Sequence, residues 1–134
     1  MISRWQRLRT DVTTLFAILA ALVVLLHITF VAFAAFGGTL VIRWSRLAWM
    51  HVPAACWAAW VELSGSICPL TPLENTLRVK AGLDLYSGDF MARYVLPVLY
   101  PEGLTRDAQI AIGLAVVAIN AGVYGWLIWT RRRL

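Results

Sequence analysis

Three ionisable side chains stand inside apolar runs. His27 lies in the uncharged stretch from Val12 to Ile42, and His51 and Glu62 lie between Leu47 and Ile67. An imidazole or carboxylate among that many apolar residues needs a hydrogen-bonding partner or a purpose, because a charge in hydrocarbon is costly. Three chemistries suit these residue types. A histidine and a carboxylate can share a proton or grip a small polar molecule, two histidines can hold haem axially, and two histidines with one carboxylate can bind iron or another metal.

Spacing discriminates among them. His51 and Glu62 return to nearly the same helix face but stand about 16 Å apart along the axis, so His27 can sit level with only one of them. A three-ligand metal set therefore fails to converge. A hairpin turning at Arg43 to Arg46 places His27 opposite Glu62, the favoured register, in which the pair satisfies each other. A break at Gly37-Gly38 places His27 near His51 instead, the register that bis-histidine haem requires. The plain alternative is a His27–Glu62 hydrogen bond that only fixes helix register. His51, among Trp44, Trp49 and Trp57, then reads as an interfacial residue.

Small residues share these faces. Ala20, His27, Ala34 and Gly38 form one stripe, His51, Ala55, Ala58, Glu62 and Gly65 a second, and Gln109, Gly113, Asn120 and Tyr124 a third. Small-plus-polar stripes permit close helix approach. The predicted interior is thus a polar cluster of His27, His51, Glu62, Asn120 and Tyr124.

The elements that must position this cluster follow from length and punctuation. The spacing predicts helices over about 12–42, capped by Thr10 and Asp11, and over about 46–67, capped by Ser45, carrying Pro53 and stopped at Cys68-Pro69. Thr71-Pro72-Leu73-Glu74 reads as a capping box opening an interfacial helix over about 73–81, ended by Gly82. A short membrane helix is expected over 89–101 despite Arg93 and Pro97, and a long one over 106–130 behind Thr105. The whole chain, 1–134, reads as one all-α polytopic membrane domain: a compact four-helix bundle with three clear transmembrane helices and one short membrane helix.

Composition agrees. The chain has 134 residues, 60% of them hydrophobic and only 14% charged, where soluble domains carry about a quarter charged residues. Its excess basic residues gather at the ends, in Arg4, Arg7, Arg9 and Arg131 to Arg133, as membrane anchors rather than a nucleic-acid footprint. They predict cytoplasmic N and C termini, although Arg43 and Arg46 then fall in an outer loop. The first apolar run exceeds a signal-peptide core and is expected to be retained. Cys56 and Cys68, placed about 18 Å apart on one helix, are expected as free thiols. Asp84 and Asp89 look like turn residues.

The segments "RLAWMHVPAACWAAWVELSGSICPLTPLEN" and "YSGDFMARYVLPVLYPEGLT" closely resemble the bacterial membrane family called domain of unknown function 2784. The resemblance includes His27 in "LLHITFVAF" and the final "AINAGVYGW". It implies pattern positions at His27, Gly38, Trp49, His51, Glu62, Cys68, Pro69, Leu70, Thr71, Glu74, Tyr86, Gly88, Tyr94 and Tyr100, and a multi-pass home in the bacterial inner membrane. It implies no activity. It draws notice to Cys68, Thr71, Glu74, Asn75, Tyr86 and Arg93 as loop-site candidates, since such residues in a loop more often serve a site than a core.

Three functions are expected to compete: a membrane-embedded binding or accessory protein, a haem- or quinone-linked redox subunit, and a structural partner in a membrane complex. The partners expected are the lipid bilayer and a second copy or a membrane-complex subunit, with no nucleic acid. No nucleophile elbow, zinc-protease or P-loop pattern occurs, which argues against an enzyme.

Overall fold

The computed structural model describes residues 4–95, 97 and 105–133. All regular structure among the described residues is helical. Two helices, α1 (Arg4–Phe36) and α5 (Arg106–Arg131), are long and apolar enough to cross a membrane.

Helix α1 begins eight residues before the expected start at Val12. Thr10 and Asp11 therefore lie within it and cap nothing. The Thr10 hydroxyl donates to the Gln6 carbonyl one turn back at 2.9 Å, which satisfies it inside the helix. The expected single helix over 12–42 is interrupted at Gly37, and α2 (Gly38–Arg43) follows.

Helix α3 (Ala48–Ser64) is preceded by a 3-10 turn over Ser45–Leu47. Ser45 opens that turn and does not cap α3, whose first residue follows Leu47 without a side-chain cap. The helix stops at Gly65, where φ is +70° and Ser66 N–H donates to the Val61 carbonyl at 3.1 Å. Glycine takes this left-handed position without strain. The stop comes before the expected Ile67, and it leaves Cys68 off the helix that carries Cys56. Both thiols are free.

Helix α4 (Leu70–Lys80) starts earlier than 73 and has Pro69 before it. Gly82, with φ +74°, closes it as expected. The stretch predicted as a helix over 89–101 is a π-helical turn over Met91–Val95, and the rest of it falls largely outside the described residues. Asp89 is no solvated turn residue: it is buried, and its Oδ1 accepts from Ala92 N–H at 2.8 Å. Helix α5 matches its expected bounds, and the Thr105 hydroxyl oxygen accepts from Ala108 N–H at 3.2 Å.

The chain forms two compact units, Met1–His27 with Ile67–Glu102, and Ile28–Ser66 with Gly103–Leu134. In the first, α4, the following loop and the π-helical turn pack on α1; Lys80 lies over the Phe16 ring at 5.4 Å. In the second, α5 runs antiparallel to α3. Arg106 donates to the Glu62 carbonyl at 3.0 Å and to the Leu63 carbonyl, both at the end of α3. Tyr124, near the other end of α5, meets His51 at the start of α3. Gly113 admits close contact between them: a methyl carbon there would lie 2.9 Å from Leu63 Cγ.

Candidate functional site

Each unit holds one of the two histidines. The expected His27–Glu62 pair is thus divided between the units, and His27 takes a partner from its own. Its ring stacks on Phe90 with centroids 3.9 Å apart and planes 21° from parallel. Both rings are buried, His27 at 3% exposure and Phe90 at 1%.

Beside this stack sits Glu74, fully buried in α4. Tyr86 donates its hydroxyl hydrogen to Glu74 Oε2 at 2.8 Å, and Tyr94 donates to Oε1 at 2.7 Å. Arg78, one turn along α4, brings its guanidinium to 4.0 Å from Oε1. A carboxylate with two phenol donors and a guanidinium tolerates burial that it would not tolerate alone. Burial, then the hydrogen bond to Glu74 and that carboxylate's charge, push the Tyr86 phenol above its ordinary range.

The loop that presents these tyrosines is pinned from α4. Asn75 donates from Nδ2 to the Tyr86 carbonyl at 3.0 Å and accepts the Tyr86 N–H on Oδ1 at 3.2 Å. Arg78 Nε donates to the Asp84 carbonyl at 2.9 Å. Phe90, just before the π-helical turn, and Tyr94 on it lie 5.0 Å apart, and Tyr86 meets Tyr94 edge-on at 5.9 Å. The sequence TPLE is therefore no capping box. Glu74 turns inward to the two phenols, and Thr71, one turn before it, is buried as well.

Two polar atoms of this unit remain buried without a hydrogen-bond partner among the described residues, His27 Nδ1 and Thr71 Oγ1. Native interiors rarely leave such atoms unpaired. Of the loop-site candidates, Thr71, Glu74, Asn75 and Tyr86 come together here. Arg93 is exposed and lies over the outer part of the assembly, its guanidinium 5.4 Å from the Tyr86 ring centre. Cys68 is buried before α4. Phe90 and Arg78 were not singled out by the sequence, Asp89 was read only as a turn residue, and Tyr94 entered only through the resemblance.

The second unit gathers His51, Asn120 and Tyr124. His51 is fully buried, and its Nδ1 hydrogen-bonds the Tyr124 hydroxyl at 2.8 Å. Asn120 donates from Nδ2 to the Ala34 and Val116 carbonyls, each at 2.9 Å. A methyl carbon on Gly37 would sit 2.6 Å from His51 Cδ2, so only glycine lets this ring close on the chain. Glu62, half-buried in the last turn of α3, offers its carbonyl to Arg106.

Tyr124 holds one ring nitrogen of His51, and the other, Nε2, is buried without a hydrogen-bond partner among the described residues. No group of three or more His, Cys, Asp or Glu among the described residues converges to hold a metal ion.

No curated protein and no solved structure matches the chain. A family described as Protein of Unknown function (DUF2784) matches residues 17–125. That span takes in His27, the Glu74 cluster and the His51–Tyr124 pair, and on this match the chain belongs to the DUF2784 family.

Proposed function

We propose that the chain is a small multi-pass protein of the bacterial inner membrane that binds a small molecule at the His27–Thr71–Glu74 centre. The observation that carries this reading is the pair of buried, unpartnered atoms, His27 Nδ1 and Thr71 Oγ1, in a unit whose Glu74 is fully satisfied by its tyrosines. A purely structural cluster would satisfy its own polar atoms, whereas a binding site leaves some for its ligand. The ligand offers hydrogen-bonding groups to His27 Nδ1 and Thr71 Oγ1 beside the His27–Phe90 stack.

The membrane reading rests on the apolar span of α1, the apolar span of α5, and the exposed large side chains along both, among them Leu15, Leu22, Leu25, Leu114 and Ile128. In the second unit the antiparallel pairing of α3 and α5 brings Arg43 and Arg46 to the same end as the C-terminal arginines. Three crossings, with the termini on opposite faces, fit this arrangement better than the two cytoplasmic termini expected from charge.

The test is extraction and mass spectrometry of small molecules retained by the purified protein. His27→Phe keeps the stack on Phe90 and removes the nitrogen, and Thr71→Val removes the hydroxyl at nearly constant volume. A compound enriched in wild type and depleted in both variants supports binding. Full folding of all three with identical extracts would overturn it.

A further inference from the structure

The face of α4 turned away from Glu74 carries a 330 Å³ groove lined by Asn75, Thr76, Val79, Lys80 and Leu85. Two of its polar groups are already used: Asn75 holds the Tyr86 backbone, and the Thr76 hydroxyl donates to the Pro72 carbonyl at 2.8 Å. Val79 and Leu85 are apolar yet 54% and 64% exposed. Lys80 is the charged group of the groove and has no carboxylate partner among the described residues. It is held 5.4 Å from the Phe16 ring centre, a cation-π contact that keeps the ammonium in place without neutralising it.

Depth decides what such a groove meets. Phe16 stands about 6 Å along α1 from Val12, where the uncharged run begins. On the membrane reading proposed above, on which this inference rests, Lys80 lies at the boundary between headgroups and hydrocarbon. A fixed cation above two exposed aliphatic side chains at that depth matches one chemistry, a phosphodiester carrying an acyl chain.

We propose that the groove on α4 is a docking site for one anionic phospholipid, with the headgroup phosphate on Lys80 and the upper acyl chain along Val79 and Leu85. Glycerol phosphate shares the anionic group but lacks the chain, and it cannot use the apolar wall.

Native mass spectrometry of the full-length protein in detergent tests this, by titration with phosphatidylglycerol, phosphatidylcholine and glycerol 3-phosphate. The first phosphatidylglycerol adduct should form about fivefold more tightly than the phosphatidylcholine adduct. Lys80→Gln should abolish that preference, Leu85→Ser should weaken both lipids, and Arg133→Gln should leave the preference intact. Equal binding of the two lipids by wild type, or a preference that survives Lys80→Gln, would overturn the site. Glycerol 3-phosphate binding as tightly as phosphatidylglycerol would overturn it in favour of a soluble phosphate. An alkaline carbonate wash separates this from the membrane reading. Protein retained in the pellet without lipid preference sinks the groove alone, and protein released into the wash sinks the membrane reading with it.

Discussion

Glu74 ties the first unit together, since Tyr86, Tyr94 and Arg78 all converge on its two oxygens. Glu74→Leu strands two phenols and a guanidinium and should destabilise the protein by about 3 kcal/mol, while Glu74→Gln keeps an acceptor and should cost about 1 kcal/mol. Unfolding by denaturant in detergent measures both, and equal losses would show that the hydrogen bonds carry nothing. Tyr86 adds a pH dependence. Its phenol is raised in the folded state, so its contribution is complete below about pH 10. It is lost as pH climbs toward the folded-state value. Stability should fall above pH 10 in wild type, and Tyr86→Phe should flatten that decline. Glu74 and Tyr86 were visible in the sequence as loop candidates, and Tyr94 through the resemblance, but their pairing was not. Tyr94 lies twenty residues away, and nothing in a linear pattern says which aromatic ring will fold back to a buried carboxylate.

Helix α4 teaches the same lesson one level up. Its amphipathic content and its stop at Gly82 were legible, because both are local. Its start was not. Thr-x-x-Glu satisfies the capping-box pattern, yet tertiary donors claimed the glutamate and the helix began before the threonine. Thr105 behaved as read, because no such competitor reaches it. The small-residue stripes were largely legible too: Ala20, His27, Ala34 and Gly38 are all buried, as are Gly113 and Asn120. What they pack against was hidden, since periodicity gives a face and not its neighbour. Gly37 supplies the test at this scale. Gly37→Ala would drive a methyl into His51, and it should lower stability by about 1 to 3 kcal/mol through overpacking. Gly122, with open space around it, should accept alanine without loss. Equal tolerance at both positions in a thermal melt would contradict the close approach of His51.

For the molecule as a whole, topology and occupancy are the two outcomes at stake. On the three-crossing reading proposed above, reporter fusions at the two termini should light up on opposite faces of the membrane. Signals on one face would require a fourth crossing between α4 and α5. Occupancy of the His27 centre bears directly on function, and mass action makes it measurable, because a ligand that binds only the folded protein raises its melting temperature. The direct measurement is the melting temperature of detergent-washed protein before and after addition of an organic extract of the host's membranes, for wild type and His27→Phe. A binding site at His27 and Thr71 predicts a clear rise in wild type and none in His27→Phe. The same shift in both proteins, or no shift in either, would contradict it.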